Sequence, residues 1–133
     1  MVTKRGRERG KGERFIRLNH ALLETEAWGS LTCAQRCVYL ALCMAYNGFN
    51  NGQIGLSVRQ AAKLANCNKD SAAAALKTLE TRGFIERMTP GAFSLKIRHS
   101  ALYRLTHLPV ETAPQIPATC DYRTWRPEKS RSE

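Results

Sequence analysis

Along the chain, apolar residues recur at helical spacing in one central block and alternate at strand spacing after it. Thr32 precedes CAQRCVYLALCMAY with Gln35 three residues on, a capping-box pattern that satisfies free N–H groups at a helix start. This predicts the first long helix. NGFNNG at 47–52 must end it, because Asn and Gly favour turn conformations, and QIGL can follow as a brief strand. Ser57 with Gln60 repeats the capping box, and Val58, Ala61, Ala62 and Ala65 fall at i, i+3, i+4 and i+7, one apolar stripe on a short helix. After NCN, Asn68 can cap another helix whose Ala72, Ala75, Leu76 and Leu79 repeat that spacing until Gly83 stops it.

The flanks are less regular. RFIRL reads as a strand or an extended lead-in, and HALLETEAW as one short helix with Leu22, Leu23 and Ala27 on its apolar side. Beyond Gly83, FIERM is strand-like and TPG is a turn. Phe93, Leu95 and Ile97 then alternate with Ser94, Lys96 and Arg98, giving a hairpin with Pro90-Gly91 near its tip. ALYRLT, with Ala101, Tyr103 and Leu105 alternating, adds a strand or packs the end of the sheet. Residues 1–14 lack apolar periodicity and read as a disordered basic arm, 15–107 as the folded domain, and 108–133, with four of the five prolines, as a tail without a core pattern. The expected class is mainly α with a small antiparallel sheet (α+β), and the order helix, strand, helix, helix, hairpin is that of a winged helix-turn-helix.

Composition narrows the partners. The 133 residues suffice for one small core, and 21 basic against 11 acidic side chains give a net charge of +10. The arm carries six basic and two acidic residues, and 15–107 carry 11 basic and 5 acidic, so the folded part is itself basic. A polyanion is the expected partner: DNA, RNA or an anionic surface. No apolar run approaches the roughly 20 residues that span a bilayer, and the charged start has no apolar segment behind it. The expectation is a cytoplasmic protein with no membrane partner. Cys33, Cys37, Cys43, Cys67 and Cys120 are odd in number and contain no C-x-x-C pair, so neither a disulfide framework nor a standard zinc site is implied.

SVRQAAKLANCNKDSAAAALKTLETRGFIER resembles the helix-turn-helix and first wing strand of bacterial winged-helix proteins, through Ala61-Ala62, the Asn66 turn, Leu76, Leu79 and Gly83-Phe84-Ile85. Over residues 30–106 it is most similar to regulators and replication-initiator domains of phages, plasmids and other mobile elements, and ATCDYRTW is similar to the ending of uncharacterised proteins in that group. The family often has a hydrophobic β-branched residue where Ala72 stands and larger polar residues at Ala73 and Ala74. The resemblance implies binding of double-stranded DNA, with a recognition helix over about 68–82 entering the major groove by its N-terminal end. Asn68, Lys69 and Asp70 would then lie nearest base edges, Ala73 or Ala74 could touch a thymine methyl, and Lys77 would continue the outward face. Ser57, Arg59, Ser71 and Lys77 suit phosphate contacts. On the wing, Arg87, Thr89, Lys96 and Arg98 would reach the backbone or an adjacent minor groove, and Lys4, Arg5, Arg7, Arg9 and Lys11 of the arm could enter one.

So short a helix with two central alanines reads few bases, which leads to the expectation of a homodimer on symmetric half-sites. The helix at His20 to Trp28 and the tail are the candidate dimer surfaces. Origin binding for replication uses the same fold. A protein-interaction module, with Trp125 of the tail inserted into a partner, is the other class to be weighed. Cys33 and Cys37, four apart on one helix, read as buried small apolar residues rather than ligands, because no second pair or spaced histidine completes a site. His20, His99 and His107 are scattered with no nucleophile to orient, so no enzyme, metal or cofactor is expected.

Overall fold

The computed structural model describes residues 13–88, 101–112 and 114–127. Helices α1 (His20–Leu23) and α2 (Glu26–Gly29) replace the single helix expected over this stretch. Thr25 is the reason: its hydroxyl donates to the Leu22 carbonyl at 2.8 Å and accepts from the Trp28 N–H at 3.1 Å, closing one turn and opening the next. RFIRL forms no strand and is the lead-in.

Helix α3 (Cys33–Ala45) starts on the Thr32–Gln35 capping box, with both reciprocal bonds made. It ends where Asn50 donates to the Ala45 carbonyl and Asn47 accepts from the N–H groups of Phe49 and Asn50. Strand β1 (Ile54–Gly55) leads to α4 (Val58–Ala65), which is closed at its start by the Ser57–Gln60 box and at its end by Asn66 in the left-handed region, φ 58°. Helix α5 (Lys69–Thr81) follows at once, capped by the Asn68 side chain on the Ser71 N–H at 2.7 Å. Helices α3, α4 and α5 pack on one another through Val38, Tyr39 and Leu42 of α3, Ala61 and Ala62 of α4, and Ala72, Ala75, Leu76 and Leu79 of α5. Alanine at four of these contacts lets the helix axes come close.

Strands β2 (Ile85–Met88) and β3 (Leu102–Leu105) complete an antiparallel sheet of order β1-β3-β2. β2 is paired with β3, Ile85 opposite Leu105 and Met88 opposite Leu102, and β3 with β1, so ALYRLT adds a strand to the sheet, as one of its two expected roles had it, and that strand is central. The Pro90-Gly91 turn and the Phe93 to Ile97 alternation lie outside the described residues, as does the basic arm to residue 12. Cross-strand chemistry fixes the register, because Glu86 faces Arg104 and accepts from its guanidinium, which also donates to Thr119. That pairing is why a charged residue tolerates a buried strand position.

The reading of 108–133 as a tail without a core pattern is corrected over its described part. Val110 and Ile116 form an isolated antiparallel bridge, and the N–H groups of Thr119 and Cys120 both donate to the Thr106 carbonyl. Tyr122, in a single 3-10 turn (Asp121–Arg123), is buried and stacks on Phe84 at 5.1 Å and 5° between planes. Trp125 is half-buried and lies under the Arg82 guanidinium at 4.9 Å. The segment was unreadable by periodicity because it is held as irregular chain. Phe84 is the hub of the cluster, with Trp28 and Tyr39 at its edges.

A pH-dependent contact lies beside this cluster, where the Tyr39 hydroxyl is 3.2 Å from His107 Nδ1. Burial holds the imidazole below its ordinary value of 6.5, so folding favours the neutral ring, while the unfolded chain takes up the proton more readily. Stability is therefore complete above pH of about 6.5 and declines as the pH falls below it. Thermal melts between neutral and mildly acidic pH should show this decline, and His107→Gln should flatten it.

Candidate nucleic-acid interface

The turn between α4 and α5 spans Asn66 to Asn68, and its sharpness follows from the left-handed Asn66 and the Cys67 N–H donating back to the Ala62 carbonyl. The packing stripe of α5 is thereby committed inward. Lys69, Asp70, Ser71, Ala73, Ala74 and Lys77 are all exposed, and the two outward alanines leave a smooth patch between the lysines. On α4, Arg59 is exposed as expected. Lys63 stands one turn later on the same face and is exposed as well. The sequence reading passed over it, although its i+4 spacing from Arg59 was legible.

Two of the named polar residues have local duties. The Ser57 hydroxyl accepts from the Gln60 N–H at 3.1 Å and is half-buried, so its first role is to cap α4. Asn68 accepts through Oδ1 at the start of α5, which orients its side-chain amide and leaves Nδ2 to donate outward. Asp70 sits in the first turn, where its charge complements the helix dipole. Arg87 is exposed on β2. Thr89, Lys96 and Arg98 of the expected wing, and Lys4, Arg5, Arg7, Arg9 and Lys11 of the expected arm, lie outside the described residues.

Arg82, at the C-terminal end of α5, is drawn away from any outward role. Its guanidinium donates to the carbonyl and hydroxyl of Ser30 at 3.1 and 2.7 Å while covering Trp125. The far end of α5 is thus tied to the end of α2 and to the C-terminal segment, whereas Lys69, Ala73, Ala74 and Lys77 earlier along it are exposed.

Among the described residues no group of three or more His, Cys, Asp or Glu side chains could hold a metal ion. Burial pushes the Cys43 thiol up to about 12, which keeps it protonated and unreactive. Cys33 and Cys37 correct the sequence reading, because both are exposed along α3 rather than buried. No described helix is long and apolar enough to cross a membrane. No protein-family model, curated protein or solved structure matches the chain.

Proposed function

We propose that this is a winged helix-turn-helix protein that binds duplex DNA, with α5 in the major groove and β2 with its following segment as the wing. The observation that carries the reading is the pairing of two capped helices across the left-handed Asn66 turn, with Lys69, Ala73, Ala74 and Lys77 facing outward over a fully inward apolar stripe. Alanine at the centre of such a face lets the helix approach the groove floor, where a methyl can meet a thymine methyl. Lys69 supplies the directional donor, and Arg59, Lys63 and Arg87 supply backbone charge. One or two base contacts per helix give modest selectivity, so the proposal includes a homodimer reading two half-sites about 34 Å apart. Regulation of a mobile element is the leading role, and origin binding for replication differs from it only in which DNA is selected.

The variants separate these contributions. Lys69→Ala should relax preference at one base-pair position, a loss of about 1–3 kcal/mol in discrimination, with little change for unrelated duplexes. Arg59→Ala and Arg87→Ala should weaken every duplex alike and reduce the log–log salt slope by about 1 each. Fluorescence anisotropy titrations at several salt concentrations read both quantities. Binding to an acidic protein that is indifferent to Lys69 and Arg59, with no duplex binding at low salt, would replace this reading with a protein-docking one.

A further inference from the structure

Helix α3 buries Val38, Tyr39, Ala41 and Leu42 and exposes Cys33, Cys37, Leu40 and Met44 on its opposite side. Those exposed positions are spaced four, three and four apart, the a/d spacing of a helix-pairing seam, and no charge interrupts them. At its C-terminal end the seam broadens: Phe15, Ile16, Met44 and Gly48 line one open groove, and the exposed Phe49 follows Gly48 in the chain. Phe15 is 70% exposed, Met44 58% and Phe49 84%.

We propose that this surface docks a second copy of the same chain, α3 against α3. Three observations select that occupant. First, an unbroken a/d stripe is self-complementary, because knobs from one helix enter holes between like positions on the other. Second, with an aromatic side chain worth about 150–250 Å², the exposed parts of Phe15, Phe49, Met44, Leu40 and Ile16 supply roughly 500 Å² of apolar surface, at the upper end for a lone monomer. A standard interface takes about 800 Å² per partner with about three-fifths of it apolar, which matches. Third, the rim of the groove holds Glu13 beside Arg14, mixed charge that suits a twofold copy better than a uniformly acidic partner for this basic chain.

The surfaces suggested by sequence fit less well, since the C-terminal segment is packed on its own chain and α1 is a single turn. The seam faces away from α4 and α5, so docking leaves the outward face of α5 uncovered. The inference names the surface for the dimer in the DNA-binding reading, but its test contains no nucleic acid. A monomer would therefore overturn the seam and leave DNA binding standing.

Sedimentation equilibrium of the full chain under reducing conditions should give twice the chain mass of 14.9 kDa at high concentration. The double variant Leu40→Glu, Met44→Glu should raise the dimer dissociation constant by roughly a hundredfold, with an unchanged circular dichroism spectrum. A second measurement uses the unaltered protein: maleimide labelling of Cys33 and Cys37, followed by mass spectrometry, should slow as concentration rises while Cys67 keeps its rate. A wild-type chain that stays monomeric, a folded double variant that dimerises normally, or labelling of Cys33 and Cys37 independent of concentration would each overturn the proposal.

Discussion

Gly83→Ala is expected to lower the stability of the fold by about 3 kcal/mol, measured as a shift in the urea midpoint at constant m-value. Gly83 has φ of +90°, where a side chain costs about 1–2 kcal/mol. The larger part of the effect is contact. A Cβ there would sit 2.6 Å from the Asp121 carbonyl carbon and 2.7 Å from the Tyr122 nitrogen, both backbone atoms that cannot rotate aside. The 3-10 turn would have to retreat, and Tyr122 would leave its stack on Phe84. A loss below about 1 kcal/mol would mean that the turn does not close against the end of α5.

Asn51→Leu is expected to cost about 4 kcal/mol, by the same measurement. Asn51 is buried, and its Oδ1 accepts from the Leu105 N–H at 2.6 Å while Nδ2 approaches the carbonyls of Leu105, Leu108 and Pro109 at 3.1 Å each. Leucine fills similar space but satisfies none of them, leaving the buried Leu105 N–H without a partner and the Leu108 and Pro109 carbonyls without this donor, at about 1–3 kcal/mol for each group that stays dry, while the Leu105 carbonyl keeps the Leu108 N–H. Because these groups join the end of β3 to the chain after it, the loss should also free the C-terminal segment. Hydrogen exchange at Thr119 and Cys120 should then accelerate more than exchange within α5.

What could be read beforehand was what is local. The boxes at Thr32–Gln35 and Ser57–Gln60 and the Asn68 cap each join residues three positions apart, the apolar stripe of α5 steps by no more than four, and the outward face of the candidate site follows from that stripe. The strand partner was a different matter. Phe93 to Ile97 and Tyr103 to Leu105 alternate equally well in the sequence, and the pairing of β2 with β3 rests on Glu86 meeting Arg104 and on Thr106 donating to the Gly83 carbonyl. Neither contact leaves a periodic trace. Tyr122 reaches Phe84 from irregular chain, so the contribution of residues 108–127 to the core was equally hidden. Cys33 and Cys37 misled for another reason: small apolar residues are usually interior, and only the position of the buried face of α3 shows that this pair lies opposite it.

The measurement that bears most directly on the outward face of α5 is selection from a random duplex library at one fixed salt concentration, run in parallel with the wild-type chain and Lys69→Ala. A recurrent motif is expected for the wild type, repeated with twofold symmetry, and the loss of preference at a single position of each repeat in the variant. A library that emerges unenriched, together with no retention of any duplex at low ionic strength, would contradict duplex binding by this face.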